Sequence, residues 1–426
     1  MKIYDLSEYR TFDIKNYKLT EDERLYLTEI AGAGNEERFI WRELKDGLHF
    51  SFTSWVGVIQ LQHMVINIRP KFDPDFRGLL SMLGYARGNH HYATPKETSY
   101  RKGTHLLEII TELLCNEIDL LLRQGIYKEY IYIKDNLPVL RGRPDLRRQL
   151  TINCLSPNRI ACCFDELVTD IPENQIIRKA LENSRRLKLP KDLLFRVHHH
   201  HLGLFCEVCE PHMVKFPINF TYNRLNEHYR HCHELCRLLL QSTGTGELFV
   251  REEKGYFTLL IDMNVLFERF IARLIASYLP PGWSSNLQSR KTDAIQLETG
   301  QSYRHIIPDI LLTNPEGKHC IFDTKYKLYD QRRVDTSDIF QLAFYAQSFK
   351  TKDENGFYQA CIIYPSDGNK ESESIILQLN RNVEAYKGKL KVFVIDLSAI
   401  VKAIEEKDRG YLSDLVREVI YIPRAF

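Results

Sequence analysis

Residues 306–327 read IIPDILLTNPEGKHCIFDTKYK. Two apolar runs flank an Asn-Pro-Glu-Gly turn at 314–317, a composition typical of two strands joined by a tight connection. Asp309 begins the first run, and Asp323 and Lys325 end the second. Because residues at i and i+2 of a strand share a face, Asp323 and Lys325 are expected to point the same way. The stretch therefore predicts a hairpin that brings two carboxylates and an ammonium group to one end of a sheet.

These three side chains are the minimum set for metal-assisted hydrolysis of a phosphodiester bond. Carboxylates hold hard divalent cations through oxygen. Such cations activate a water molecule and stabilise charge on the scissile phosphate, while a lysine orients the water or offsets the developing charge. The alternative is an ordinary surface ion pair. The apolar runs at 310–312 and 321–322 favour the functional interpretation, because charges that emerge from a buried strand need metals or partners.

Length and composition set the broad class of the protein. The chain has 426 residues, of which 44% are hydrophobic, so a core for two or three domains is available. The net charge is only +2, so a surface that binds nucleic acid must be local. The N-terminal residues lack the apolar region of a signal peptide, and no run approaches the roughly 18 apolar residues of a membrane span. These features predict a cytoplasmic protein that does not enter a membrane.

Ten cysteines in such a chain are expected to be reduced and mostly buried. Cys206 and Cys209 form a C-x-x-C pair. Together with Cys232 and Cys236 they have a spacing that is compatible with a zinc site. The spacing of Cys232 and Cys236 equally suits a helix whose small residues face a core. The four histidines at 198–201 are interpreted as part of a partly exposed helix or turn, since four consecutive residues cannot face one metal.

The organisation of the chain predicts three segments. Residues 1–160 combine strand-like runs with one long helical pattern and are expected to form a β-rich N-terminal domain. Residues 161–245 are mainly helical and are expected to connect or brace the other parts. Residues 246–426 alternate between helical and strand patterns, which indicates a mixed sheet flanked by helices. The predicted fold class is a multi-domain α/β protein of the α+β kind.

Further candidates for the site lie on the helices on either side of the hairpin. A helix over 262–278 carries Glu268 at the edge of its apolar face, where it would supply a third acidic ligand. A second helix over 337–350, with Ser337 as its N-cap, places Gln341 and Tyr345 on one face because they are four residues apart. Taken singly, each of these residues is equally well explained as part of a helix surface.

The order of these motifs carries a resemblance. Glu268, then Pro308-Asp309, then Asp323-x-Lys325, then Gln341-x-x-x-Tyr345 resembles the PD-(D/E)xK nuclease superfamily in its RecB-like branch. The segments INIRPKF, LLSMLGY, LRGRPDL, FDELVTDIPENQIIRKAL, MNVLFERFI, IIPDILL, FDTKYK and DIFQLAFYA resemble the McrC family, the nuclease subunits of McrBC modification-dependent (type IV) restriction systems. The likeness covers nearly the whole chain.

The resemblance implies a restriction-endonuclease-like domain over 246–426 that cuts DNA with Mg²⁺, or with Mn²⁺ in its place. It implies that Asp309, Asp323 and Glu268 hold the metal, that Lys325 assists the attacking water and that Gln341 orients the site. Weaker candidates for contacts with DNA phosphates are Tyr345, Lys327, Arg332 and Arg333.

The resemblance also implies a partner. The N-terminal domain over 1–160 is expected to dock on a hexameric AAA+ GTPase of the McrB type, whose hydrolysis it stimulates. The substrate is expected to be double-stranded foreign DNA that carries modified cytosine. The sequence has no G-x-x-x-x-G-K-[ST] motif of its own, which agrees with a separate motor subunit.

Two other functions are compatible with the same residues. A non-catalytic regulator would use a nuclease-like domain only to bind DNA while it stimulates an AAA+ NTPase. A stand-alone RecB-like nuclease with an iron–sulfur cluster needs four cysteine ligands around the nuclease core. Only Cys320 and Cys361 follow residue 240, which disfavours the second alternative.

Overall fold

The computed structural model describes residues 2–32, 37–72, 76–88, 105–155, 158–204, 207–209, 220–240, 248–253, 255–287, 289–296, 298–299, 301–327, 334–349, 357–366, 373–378 and 387–420. The chain forms two compact units. The first comprises Met1–Gly103, Gly244–Phe249 and Leu260–Phe426, and the second comprises Thr104–Thr243 and Val250–Leu259. These boundaries differ from those of the three predicted segments, and the docking role expected of residues 1–160 stays a prediction.

The elements follow one another in a mixed α/β order. The strands are β1 (Lys2–Ser7), β2 (Thr11–Lys15), β3 (Phe39–Leu44), β4 (Gly47–Phe52), β5 (Trp55–Gln60), β6 (Met64–Arg69), β7 (Glu129–Leu137), β8 (Arg143–Pro144), β9 (Ile160–Val168), β10 (Leu248–Glu253), β11 (Tyr256–Asp262), β12 (Ser284–Leu287), β13 (Lys291–Gln296), β14 (Ser302–Ile306), β15 (Ile310–Thr313), β16 (His319–Thr324), β17 (Phe357–Ser366), β18 (Glu373–Gln378) and β19 (Lys387–Asp396). The α-helices are α1 (Glu21–Ala31), α2 (Arg77–Ala86), α3 (Leu106–Gln124), α4 (Leu146–Ile152), α5 (Pro172–Arg185), α6 (Lys191–His199), α7 (Arg230–Leu240), α8 (Met263–Tyr278), α9 (Thr336–Ser348), α10 (Leu397–Glu406) and α11 (Arg409–Ile420).

The N-terminal part of the first unit is built from short strands. In the run over 55–69, the change of phase at Leu61 marks a turn, and β5 and β6 pair antiparallel on either side of it. Strand β1 lies parallel to β6. Strands β2 and β3 flank β4 in a second sheet, where Phe39, Phe50 and Phe52 pack with ring centroids 5.7–6.2 Å apart. The strand-rich character predicted for this region is confirmed.

The first unit also contains a six-stranded mixed sheet with the order β12-β15-β16-β17-β19-β18. Strands β16, β17 and β19 run parallel to one another, whereas β12, β15 and β18 join antiparallel. Helix α9 connects β16 to β17 and covers one face, where its Leu342 and Ala346 pack against Ile321, Ile362 and Val392. A mixed sheet with flanking helices was predicted, and it is confirmed. The layout specific to the PD-(D/E)xK superfamily stays a prediction.

The predicted hairpin is present. Asn314 fixes its turn, because its side-chain Oδ1 accepts the backbone N–H groups of Glu316 at 2.9 Å and Lys318 at 2.8 Å. Its carbonyl accepts the N–H of Gly317 at 2.9 Å. Gly317 has a φ of +79°, a left-handed conformation in which a side chain would be strained. The turn therefore sets the register with which β15 and β16 pair.

The two helices predicted around the hairpin are also present, with one correction. Helix α8 begins at Met263, and the carboxylate of Asp262 caps it by accepting the N–H of Asn264. The cap of α9 is Asp335, not Ser337 as the sequence suggested. Asp335 is the better cap because its carboxylate accepts both the N–H of Ser337 at 3.1 Å and its hydroxyl at 2.9 Å.

The second unit contains a helical part and a small antiparallel sheet. Helices α5 and α7 pack together, and Tyr229 donates its buried hydroxyl to Asn174 Oδ1 at 3.0 Å. Strands β7 and β8 flank β9, and α4 packs against β9. Among the described residues, no helix is long and apolar enough to cross a membrane.

The cysteine and histidine clusters behave as structural residues in the part of the chain that the structure describes. Cys232 and Cys236 are buried on α7, as helical spacing suggested, whereas Cys206 lies outside the described residues. His233 uses both ring nitrogens, one against the hydroxyl of Tyr222 at 3.0 Å and the other against the carbonyl of Glu173 at 2.9 Å. Burial lowers the pKa of His233 to about 4. It is thus a neutral core histidine.

The four consecutive histidines lie at the end of α6 and in the π-helical turn His200–Leu204 that follows it. His200 lies 3.2 Å from the carboxylate of Asp119, and His201 lies 3.2 Å from that of Glu182. The two rings are therefore directed at different carboxylates. The predicted helix or turn is confirmed, although His200 and His201 are buried.

Candidate active site

The hairpin sets the position of the acidic pair. Strands β15 and β16 pair antiparallel with Ile310 opposite Phe322. The next position outward therefore places Asp309 beside Asp323. Beyond the end of β16, the backbone N–H of Lys325 donates to the carbonyl of Ile363 on β17 at 2.9 Å. The backbone at the site is thus held by the neighbouring strands on both sides.

Asp323 and Lys325 form a close ion pair. Lys325 Nζ lies 2.9 Å from Asp323 Oδ2, and the two side chains are 20% and 5% exposed. The prediction that they point the same way is confirmed. The pKa of Asp323 is raised to about 6, because burial and the negative charge of Asp309 together outweigh the attraction of Lys325. The site therefore concentrates negative charge where water has little access, an environment that favours a cation.

The lysine keeps its charge in this setting. Burial lowers the pKa of Lys325, but the charge of Asp323, the hydrogen bond to it and the charges of Asp338 and Asp309 act against burial. The net effect is a pKa above the ordinary value for lysine. At neutral pH the side chain is an ammonium group, which donates protons in hydrogen bonds and cannot act as a base.

Thr324, which lies between Asp323 and Lys325, holds the carboxylate of Asp309. Asp309 Oδ2 accepts the backbone N–H of Thr324 at 2.7 Å and the hydroxyl of Thr324 at 2.9 Å. These two bonds fix the orientation of the carboxylate, so that it is prepared to act as a ligand without further ordering. Alternation along a strand predicts only that Thr324 points away from Asp323 and Lys325. Its role as the support of Asp309 was not visible in the sequence.

Asp338 is a further acidic group that sequence reasoning missed. It lies in the first turn of α9, is 6% exposed, and contributes negative potential at both Asp323 and Lys325. Its Oδ2 accepts Lys327 Nζ at 2.8 Å. Lys327, which was predicted to contact DNA, is therefore engaged within the protein. The other predicted basic contacts, Arg332 and Arg333, lie outside the described residues.

The remaining candidates lie on the flanking helices. Gln341 and Tyr345 share a face of α9, as predicted, and Gln341 Nε2 donates to the Tyr345 hydroxyl at 3.0 Å. Glu268 is half-buried on α8. Within the described ranges, no three His, Cys, Asp or Glu side chains lie close enough together to hold a metal ion as a group. The structure therefore brings together Asp309, Asp323 and Lys325, and the role of Glu268 as third ligand stays a prediction.

The donor set fits Mg²⁺. This ion binds to carboxylate oxygens, keeps several waters, and is usually held by one or two carboxylates together with phosphates of the substrate. Asp309 and Asp323 supply two such carboxylates, and the pKa of Asp323 is raised first by burial and then by the negative charge of Asp309. A softer metal is disfavoured, since neither a thiolate nor an imidazole belongs to this group of residues.

A family model now places the chain among known proteins. The model of the McrBC 5-methylcytosine restriction system component matches residues 50–365, which contain the hairpin, α8 and α9. The chain belongs to the McrBC restriction family. The resemblance read from the sequence is confirmed at this level.

Solved structures support the McrBC assignment at the level of the fold. The chain is similar to one from the tetradecameric assembly of Thermococcus gammatolerans McrB AAA+ hexamers with bound McrC, with a TM-score of 0.68, 17% identity, and coverage of 96% of this chain and 100% of the other. A chain of the cryo-EM structure of the Thermococcus gammatolerans McrBC complex matches with a TM-score of 0.50, 19% identity, and coverage of 66% and 88%. No curated protein matches significantly.

Proposed function

We propose that this protein is the Mg²⁺-dependent DNA endonuclease subunit of a McrBC-type, modification-dependent restriction system. The observation that carries the proposal is the juxtaposition of Asp309, Asp323 and Lys325, with a buried ion pair of 2.9 Å at the end of a mixed sheet. Its substrate is double-stranded DNA with modified cytosine, and it acts in the cytoplasm, where foreign DNA arrives.

The chain's own residues suggest how hydrolysis proceeds. Asp309 and Asp323 would hold Mg²⁺, which supplies a water molecule of lowered pKa and neutralises charge on the phosphate. Asp309 keeps its orientation through its two bonds to Thr324. Lys325, as an ammonium group held 2.9 Å from Asp323, orients the attacking water and offsets the charge that grows on the phosphate oxygens. In the proposed mechanism Gln341, which donates a hydrogen bond to Tyr345, orients the site.

The partner we propose is an AAA+ GTPase of the McrB type. The similarity to a chain of the Thermococcus gammatolerans assembly of McrB hexamers with bound McrC supports it, as does the lack of a P-loop motif in this sequence. The family match supports a restriction role for the pair. In this arrangement GTP hydrolysis belongs to the partner, and phosphodiester cleavage belongs to this chain.

A segment of the second unit has the properties of a docking surface for that partner. Large apolar side chains over 130–155 are more than half exposed, namely Tyr130, Tyr132, Val139, Leu140, Leu146, Leu150 and Leu155. Arginines at 141, 143, 147 and 148 lie among them. A single exposed leucine is ordinary, but a dense group mixed with arginine is characteristic of an interface. We refer to residues 130–155 as the exposed apolar segment.

Leu150→Asp is expected to weaken binding of the GTPase partner about tenfold, because it places a charge where an apolar side chain would be buried. Leu150 is 77% exposed on α4, so the substitution leaves the fold of the free chain intact. The matched control is Leu202→Asp, on another helical turn of the same unit and 59% exposed. Titration calorimetry and GTPase stimulation measure the effect. Equal binding by both variants would place the interface elsewhere.

The proposed function is tested by mixing the full chain with the GTPase partner, GTP, Mg²⁺ and a plasmid that carries methylated cytosine. Cleavage of the methylated plasmid is expected, with none of the unmethylated plasmid and none after EDTA is added. GTPase stimulation without any cleavage would instead favour the non-catalytic regulator.

A further inference from the structure

Tyr326, the residue that follows Lys325, is anchored by the N-terminal segment of the chain. It is 1% exposed. Its hydroxyl donates to Glu8 Oε1 at 2.7 Å, and its backbone carbonyl accepts the hydroxyl of Tyr9 at 2.9 Å. Glu8 and Tyr9 lie between β1 and β2, more than three hundred residues away in sequence. We call this set, Glu8, Tyr9 and Tyr326, the tyrosine clamp.

The ring of Tyr326 is enclosed from two sides. Phe72, which follows β6, packs edge-on against it with centroids 5.9 Å apart, and Phe267 of α8 lies at 5.8 Å. Lys71 Nζ lies 5.2 Å from the centre of the ring. Aromatic packing of this kind holds the ring in a single position. The phenol can therefore reach Glu8 in only one orientation.

Glu8 is itself fixed. Its Oε1 also accepts the backbone N–H of Lys71 at 2.8 Å, so that one oxygen serves both the segment after β6 and the segment after β16. Among the described residues, its Oε2 is buried without a hydrogen-bond partner. Burial raises the pKa of Glu8 to about 7, although the bonds from Lys71 and Tyr326 lower it. A carboxyl group would be buried at this cost only where its position matters.

Tyr9 adopts an unfavourable backbone conformation. Its φ is 55°, in the left-handed region that residues with bulky side chains rarely occupy. The N–H of Tyr9 donates to the carbonyl of Thr53, the residue after β4, at 3.3 Å, and this bond holds the conformation. Such conformations persist where the surroundings over-determine them, often next to functional sites. Here the result is that the hydroxyl of Tyr9 reaches the carbonyl of Tyr326.

We propose that the tyrosine clamp positions Lys325, so that Glu8, Tyr9 and Tyr326 are positioning residues for the cleavage reaction. The inference depends on the proposed function, in which Lys325 assists hydrolysis. The N–H of Lys325 donates to the carbonyl of Ile363 on one side, and the clamp holds the carbonyl and the side chain of Tyr326 on the other. The backbone from which the flexible lysine extends is thereby fixed at both ends.

The clamp also supports the backbone just beyond the end of β16, where Lys325 lies. Strand β16 ends at Thr324, and beyond this end the N–H of Lys325 still donates to the carbonyl of Ile363 on β17. A displacement of about 1 Å at a catalytic group lowers a rate by up to roughly a hundredfold. The N-terminal segment adds a second support through its bonds to Tyr326.

The test compares variants of the full chain in the methylated-plasmid assay with partner, GTP and Mg²⁺. Tyr326→Phe keeps the ring and removes the hydroxyl, and it is expected to lower kcat about tenfold with KM for DNA unchanged. Glu8→Ala is expected to do the same. Glu8→Gln keeps a carbonyl oxygen that accepts both hydrogen bonds, and it is expected to retain most of the activity.

Ser81→Ala is the matched control. It removes a hydrogen bond of 2.9 Å between Ser81 and Glu405, which joins N-terminal and C-terminal parts of the first unit as the clamp does but away from Lys325. It should lower Tm as Tyr326→Phe does and leave kcat unchanged. Wild-type kcat in Tyr326→Phe, while Lys325→Ala is inactive, would overturn the clamp and leave the proposed function intact. Full cleavage by Lys325→Ala would overturn the proposed function itself.

Discussion

Lys325→Ala is expected to lower the rate of DNA cleavage by about two to three orders of magnitude, the usual effect of removing a preorganised donor that stabilises charge in the transition state. The side chain is 20% exposed, and its ammonium lies 2.9 Å from Asp323, so the substitution removes the positive charge in the group formed with Asp309 and Asp323. Binding of the GTPase partner and stimulation of its hydrolysis are expected to stay at the level of the unsubstituted chain. The rate is measured by single-turnover cleavage of the methylated plasmid.

The control for this variant is Lys318→Ala, in the turn of the same hairpin. Lys318 pairs with Glu316 at 2.7 Å, and both side chains are about half exposed. Such a surface pair contributes little to stability. Lys318→Ala is therefore expected to cut at the normal rate. Comparable cleavage rates for Lys325→Ala and Lys318→Ala would show that Lys325 takes no part in the reaction.

Asp309→Asn is expected to lower the affinity of the chain for Mn²⁺ by more than about a hundredfold. Mn²⁺ is used here as a probe for Mg²⁺. Loss of an outer partner of a metal ligand costs roughly 10–100-fold in affinity, and loss of a ligand should exceed this. Asparagine keeps a side-chain oxygen that can accept the two donors of Thr324, so the loop is expected to retain its conformation. Cleavage is expected to fall in parallel with metal binding.

Electron paramagnetic resonance of free Mn²⁺ measures this affinity without any turnover. Glu316→Gln is the control, because it removes a carboxylate from the same hairpin that is 57% exposed and lies in the turn. Unchanged Mn²⁺ binding in Asp309→Asn, together with lost cleavage, would contradict a ligand role and favour an electrostatic one. A parallel Glu268→Gln titration decides whether the predicted third ligand takes part.

Local sequence patterns were sufficient for the hairpin and its ion pair. Asn314 and Gly317 are turn residues with definite backbone demands, and alternation along β16 places Asp323 and Lys325 on one face. The helix predicted over 262–278 followed from its apolar periodicity, and the structure shows it over Met263–Tyr278 with Asp262 as its cap. In each instance the residues that determine the feature lie within or next to it, so the local sequence is sufficient to predict it.

The features of the site that the sequence did not predict depend on contacts between residues far apart in the chain. Asp338 sits in an ordinary first helical turn, and only the packing of α9 on β16 brings its charge to Lys325. Glu8 and Tyr9 look like residues of a surface turn, yet they bond to Tyr326 across more than three hundred positions. A single sequence has no local signal for such pairings. The mistaken cap at Ser337 is a smaller instance, because Asp335, two residues earlier, is an equally suitable cap by residue type.

The first compact unit is discontinuous, since it joins Met1–Gly103 with Leu260–Phe426. During synthesis the ribosome releases the N-terminal piece first and then makes the intervening residues, a delay of roughly ten seconds or more. Strands β1 to β6 must therefore wait for α8 and the mixed sheet before their shared core closes. The proposed site is therefore complete only after the mixed sheet has been translated, and a fragment that begins at residue 246 would leave Tyr326 without Glu8 and Tyr9.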